Sequence, residues 1–200
     1  NGPLALRTAG KMADGLIAVF NDKPDVLAYH MGYVNEGAEK AGRTLPEDFH
    51  SVSLTNAVIL RSGESLTDDR VIDDASSWAI GALHFVYEIW RYKGDDAVVP
   101  DYMKGIWEEY SDYVDNLDIP ADKLHQRLHA GHCSFCPPEE RRFITPEMIT
   151  GAGLAGTPEE IAGQIRAAEA AGLKEISLLP GLDFARDTAR EFMEKVAPLV

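Results

Sequence analysis

The stretch Gly151–Gly181, GAGLAGTPEEIAGQIRAAEAAGLKEISLLPG, decides the fold class, because it reads as local structure almost from end to end. Thr157 followed by Pro158, Glu159 and Glu160 forms a capping box. The threonine hydroxyl accepts the backbone N–H of Glu160, the Glu160 carboxylate reaches back, and Pro158 sits where a missing N–H does no harm. Ile161, Ile165 and Ala168 place an apolar stripe on one helix face, and Gly172 supplies the left-handed residue that ends the helix near Ala171. The short apolar run Ile176-Ser177-Leu178-Leu179, closed by Pro180-Gly181, reads as a buried parallel strand. The unit is therefore helix, tight turn, strand and loop, and in repeated βα architectures the loop at the carboxyl end of the strand is where ligands sit.

The same alternation extends upstream. Residues 3–13 have helical spacing, Gly15 to Phe20 is an apolar strand, Asp25 to Arg43 is helical again, and Ser51 to Arg61 (SVSLTNAVILR) is β-branched and apolar. A long helix is expected from Thr67, as N-cap hydroxyl, to Tyr92, followed by helices over 101–117 and 121–128 and a short one opened by Thr145-Pro146-Glu147. A last helix spans about Ala185 to Val196. Strands separated by helices mean a parallel sheet, and residues 65–150 hold more helix than one crossover needs. Three parallel strands cannot close a barrel and leave both sheet edges unpaired. A complete small three-layer domain is the other architecture this pattern allows.

Composition narrows the partners. Of the 200 residues 45% are apolar and 26% charged, as in a globular domain, and the net charge of −14 argues against nucleic-acid and anionic-membrane surfaces. No apolar run approaches the roughly 20 residues that span a bilayer. Two cysteines, Cys133 and Cys136, are too few for a disulfide framework, so a soluble protein of the reducing cytoplasm is expected. The chain opens on Asn1 rather than Met with no signal-like segment, and is expected to be a piece of a longer protein.

One cluster invites a metal reading: His125, His129, His132, Cys133 and Cys136 combine His-x3-His with Cys-x2-Cys, a familiar zinc spacing, although Pro137-Pro138 stiffens the chain directly after it. The alternatives are a role for His129 and His132 beside substrate, where a neutral imidazole can donate a proton, or plain surface histidines. Trp78, Trp90, Trp107, Tyr110 and Tyr113 lie at helical spacings and read as packing. The acids Asp68-Asp69, Glu139-Glu140 and Glu159-Glu160 read as helix-start residues held there by the helix dipole. Walker, GxGxxG and GxSxG patterns are absent.

An ordered set of short pieces resembles the luciferase-like monooxygenase superfamily, within it the flavin- or deazaflavin-dependent oxidoreductases similar to methylenetetrahydromethanopterin reductase. The pieces are Gly2-Pro3-Leu4-Ala5-Leu6-Arg7 leading to Ala13-Asp14-Gly15; Ala41-Gly42-Arg43; His129-Ala130-Gly131-His132 with Glu139-Glu140 and Phe143-Ile144-Thr145; and Gly156 to Glu160 running into Ala171-Gly172. They fall in order over nearly the whole chain, as one partial domain over residues 1–200. The resemblance implies the carboxyl-terminal portion of a (β/α)8 barrel, with the strands near 15, 51 and 175 as its sixth to eighth and a helical insertion over 65–150. About 100–170 residues would then precede it. It implies hydride transfer or oxygen activation on a small organic substrate, with coenzyme F420 or FMN as cofactor, no metal, and a homodimer at full length.

By the same resemblance, Asn1, Gly2, Pro3 and Leu4 approach the cofactor's phosphate or ribityl part. Local physics agrees, since Gly2 admits close approach and the helix start after Pro3 offers free N–H groups to an anion. The strand ends nominate Asn21, Asp22, Lys23, Arg61 and Asp183 for substrate, and His129 and His132 are the candidate catalytic pair. The ring-binding strands of the family lie outside this stretch, so the piece alone is expected neither to close its sheet nor to turn over substrate. Two other readings remain at this stage: a zinc-binding or non-catalytic α/β module built on the 125–136 cluster, and a truncated barrel relative kept for subunit association.

Overall fold

A computed structural model of the chain describes residues 2–200. Five strands, β1 (Gly15–Val19), β2 (His50–Thr55), β3 (Ala57–Ile59), β4 (Leu154–Gly156) and β5 (Glu175–Leu178), alternate with eight α-helices among the described residues. The helices are α1 (Pro3–Met12), α2 (Pro24–Lys40), α3 (Asp69–Lys93), α4 (Lys104–Asp115), α5 (Leu124–Leu128), α6 (Pro146–Ala152), α7 (Pro158–Ala170) and α8 (Ala185–Glu191). All strand pairing is parallel. The order β1-β2-β5 runs in register from Gly15 opposite His50 and from Val52 opposite Glu175, while β3 pairs β4 from Ala57 opposite Leu154.

Two strand expectations are corrected. The single strand over 51–61 is broken at Asn56, a buried residue whose carbonyl accepts the N–H of Leu154. The break lets the chain hand its hydrogen bonds from β5 to β4. β4 itself was not expected: three residues, the last a glycine, are too short to show the alternation by which strands are recognised. Two helix starts also shift. Thr67 spends its hydroxyl on Ser65, so α3 starts after Asp68, and the helix expected from Ala121 begins at Leu124. The capping box of α7 is present in both directions, and Gly172 takes φ +105° in the turn into β5.

The largest core lies under α3, where Trp78, Leu83, Tyr87, Tyr110 and Phe143 are buried together. Trp90 and Trp107 pack edge to face at 5.6 Å beside Tyr87, so the aromatic residues are packing, as their spacing predicts. α1 and α2 cross where Gly10 meets the backbone of Val34 and Gly37 meets that of Arg7. Ile17 of β1 is 68% exposed, so one face of the edge strand is left uncovered. No helix among the described residues is long and apolar enough to cross a membrane.

The start of α3 is tied to the end of β3 by Arg70, which pairs with Glu64 and Asp74 and donates to the Ile59 carbonyl. Contact with Arg70 holds Glu64 down at about 2, whereas burial pushes Asp74 up to about 6 despite the same arginine. A carboxyl raised on folding stabilises fully below its unfolded value of about 4, and that contribution is lost as pH rises through the folded one. Asp74→Asn removes the dependence. Its stability relative to the parent is expected to improve by roughly 2–3 kcal/mol between pH 4 and 7. Urea unfolding at the two pH values measures this, and a pH-independent difference contradicts it.

Candidate functional site

The carboxyl ends of parallel strands are where α/β proteins place ligands, and here β1 ends in strained backbone. Phe20, directly after the strand, takes φ +63°, a conformation costly for a residue with a large side chain. Its ring is turned against Trp78, centroids 6.0 Å apart. The only other non-glycine residue with positive φ among the described residues is Cys133, at +56°. Both line one pocket of about 210 Å³, together with Trp78, Gly81, Phe85 and His132. Through Val19, Phe20 and Phe85 this pocket adjoins a cleft of about 500 Å³ bounded by Gly2, Pro3, His30 and Glu88.

The opening of the cleft is the amino-terminal end of α1. Among the described residues no side chain caps that helix, no acid lies in its first turn, and a Cβ built on Gly2 meets nothing within 4 Å. Free N–H groups and a positive dipole end therefore face open space. Inside, His30 is buried and its Nδ1 lies 2.6 Å from the Asn21 side-chain oxygen, while the Asn21 amide donates to the Val52 carbonyl. That orientation makes Nδ1 the protonated nitrogen, and burial lowers the pKa so that the ring stays neutral.

The histidines expected to act in catalysis lie at the far wall. His129 and His132 meet edge to face at 5.0 Å, and His129 Nε2 is 3.2 Å from a carboxylate oxygen of Glu88. Partial burial and the neighbouring His129 lower the pKa of His132. Gly2 and Pro3 thus line the cleft and His132 the adjoining pocket, while His129 contacts Glu88 on the cleft's boundary.

The other nominated residues lie elsewhere. Leu4 is 80% exposed and does not line the cleft. Asn1 falls outside the described residues. Asn21 and Asp22 are fully buried and hold β1 against β2, Asp22 by exchanging hydrogen bonds with Ser53. Lys23 donates to the carbonyls of Thr150 and Gly153, so these three side chains stitch the strand end to its surroundings. Arg61 pairs with Glu191, and Asp183 lines a separate polar pocket. The metal cluster disperses: Cys136 donates to the Pro137 carbonyl with its thiol pushed up to about 12 by burial, and His125 is exposed on α5. Among the described residues no group of three or more His, Cys, Asp and Glu is placed to hold a metal ion.

The reading of Glu139-Glu140 as helix-start acids is corrected for Glu140. It is fully buried and paired with His84 and Arg127, which anchors the segment carrying His132 and Cys133 onto α3. Phe20, His30, Phe85 and Glu88 were not singled out from the sequence. A signal did exist for His30, which falls at helical spacing within the apolar stripe of Leu27 and Val34. Nothing in the sequence marks the left-handed backbone of Phe20.

No protein-family profile and no curated protein sequence matches the chain. Among solved structures, a coenzyme F420-dependent tetrahydromethanopterin reductase from Methanopyrus kandleri is similar over 98% of this chain and 48% of its own, at 19% identity and TM-score 0.57. An F420-dependent secondary alcohol dehydrogenase, solved with an F420–acetone adduct, is similar over 98% of this chain and 46% of its own, at 19% identity and TM-score 0.46. The chain spans about half the length of these structures. At such identity the likeness to the reductase is one of fold.

Proposed function

We propose that the chain is the carboxyl-terminal half of a (β/α)8 oxidoreductase of the luciferase-like type, working on a small organic substrate with coenzyme F420, FMN being the alternative cofactor. The observation that carries this reading is the convergence of both strained non-glycine residues on a pocket that adjoins a cleft at a helix N-terminus with no side-chain cap among the described residues. The fold likeness to an F420-dependent reductase supports it and favours F420 over FMN. The unpaired edge of β1 is where further strands would join the sheet.

The residues present suit such a cofactor. The free N–H groups at the start of α1, beside Gly2 and with no acid in the helix's first turn, fit an anionic phosphate or ribityl arm. Val19, Phe20, Phe85 and Ile89 offer apolar walls to a flat ring. A bound deazaflavin supplies the hydride chemistry. This chain's own share is to orient the cofactor, to exclude water with Phe20 and Phe85, and to hold a proton at His132, whose imidazole is kept neutral near working pH. The intact enzyme is read as a cytoplasmic homodimer.

The test follows the absorbance of coenzyme F420 in the intact enzyme as alcohols, aldehydes and related small molecules are offered. Turnover with F420 meets the expectation, turnover with FMN alone selects the alternative, and turnover with neither contradicts the reading. His132→Gln is expected to slow turnover by about a hundredfold with cofactor affinity unchanged. An unchanged rate removes the proton-holding role.

A further inference from the structure

A second cavity lies on the other side of the 131–136 segment, at the carboxyl end of β5. It measures about 260 Å³, and its polar lining comes from Asp73, Ser76 and Ser77 of α3, from Ser134, and from Asp183 beside Gly181. The segment divides the two sites: Cys133 lines the apolar pocket, whereas Ser134 faces this one and accepts the Leu182 N–H through its carbonyl. One face of α3 serves both, with Asp73, Ser76 and Ser77 here and Gly81 and Phe85 one and two turns on.

The chemistry of the lining is one-sided. It holds two carboxylates and three hydroxyls, and no lysine, arginine or histidine. Asp73 is engaged by Arg141, and Ser76 donates to the Asp73 carbonyl. Asp183 makes no ion pair among the described residues, and Ser77, only 3% exposed, has a hydroxyl with no hydrogen-bond partner. A buried hydroxyl left unpaired is costly, and a ligand atom can satisfy it. Phe135 and Phe184 complete the wall.

We propose that this pocket binds small organic cations, taking a primary ammonium group between the Asp183 carboxylate and the Ser77 hydroxyl. An ammonium carries three donors and one positive charge, which matches an acceptor-rich pocket with one unneutralised carboxylate. The inference goes beyond the oxidoreductase reading and does not depend on it, since it concerns a different cavity and needs no cofactor.

The test is a titration of the isotopically labelled chain with ethanolamine, followed by amide shifts, with ethylene glycol as the uncharged control of similar size. Saturable shifts at Ser77, Ser134 and Gly181 are expected with ethanolamine, and much weaker binding with ethylene glycol. Asp183→Asn is expected to weaken binding by about tenfold or more, and Ser77→Ala by about threefold to tenfold. Gly181→Ala offers a steric check, because its Cβ would lie 2.8 Å from the Ser77 hydroxyl and force it out of place. Absence of saturable shifts, equal binding of ethylene glycol, or ethanolamine affinity unchanged in both Asp183→Asn and Gly181→Ala overturns the proposal.

Discussion

Replacing Glu140 by alanine is expected to destabilise the chain by about 3–5 kcal/mol, the usual effect of removing one partner from a buried charge cluster. Glu140 has no exposed surface. One of its carboxylate oxygens lies 2.5 Å from His84 Nε2, and the other 2.8 Å from a guanidinium nitrogen of Arg127 and 3.4 Å from the Tyr113 hydroxyl. Burial works to raise its pKa, yet the hydrogen bond from His84 and the charge of Arg127 hold it below the usual carboxylate range. Without the carboxylate, the mostly buried Arg127 guanidinium keeps only the exposed Glu139 as an ionic partner among the described residues. Because the folded value is depressed, the stabilisation is present above the ordinary glutamate pKa and is lost as pH falls through the folded one. Urea unfolding at neutral pH checks the size, with Glu140→Gln retaining part of the hydrogen bonding and losing less. A loss below about 1 kcal/mol for the alanine variant would contradict the cluster's role.

A comparable loss, about 3 kcal/mol or more, is expected from Gly37→Val where α1 and α2 cross. A Cβ built on Gly37 would lie 2.0 Å from the Arg7 carbonyl oxygen, and one on Gly10 would lie 1.8 Å from that of Val34. Both obstacles are backbone, so no side-chain rearrangement relieves them and the helices must separate. That separation opens the small core of Leu6, Val34 and Phe49 and shifts Gly2-Pro3, the mouth of the cleft. Gly32 on the same helix is the control. It is exposed and a Cβ there meets nothing within 4 Å, so Gly32→Ala is expected to stabilise by roughly 0.5–1 kcal/mol through helix propensity alone. Thermal unfolding of the two variants is decisive: similar behaviour would show that the close crossing is not what holds α1.

The features written locally in the chain were legible before the structure. The capping box at Thr157, the stop at Gly172, the strand at Gly15 and the long apolar face of α3 each depend on residues within one or two turns of each other. What escaped depends on distant partners. β4 is defined by pairing with β3 nearly 100 residues away, and Asn56 breaks the second strand only because Leu154 arrives to use its carbonyl. Glu140 reads as a helix-start acid until His84, 56 positions upstream, is placed beside it. The candidate site shows the same division. Gly2 and Pro3 line one cleft and His132 the pocket that adjoins it, whereas Asn21, Asp22 and Lys23, nominated from their place after a strand, are used internally. A loop after a parallel strand contains both anchoring and ligand-facing residues, and sequence order alone does not separate them.

On the proposed function, the cleft between the start of α1, Phe20 and α3 receives the anionic arm of a deazaflavin. The N–H groups and the walls invoked all lie within this chain, so binding is testable on the chain itself. Titrating coenzyme F420 into the isotopically labelled chain should give saturable amide shifts at Leu4, Ala5, Phe20 and Cys133, and Gly2→Glu, which sets a negative charge at the helix N-terminus, should weaken binding at least about tenfold. No saturable binding, or shifts that leave the start of α1 and Phe20 untouched and persist in Gly2→Glu, would contradict this role of the cleft.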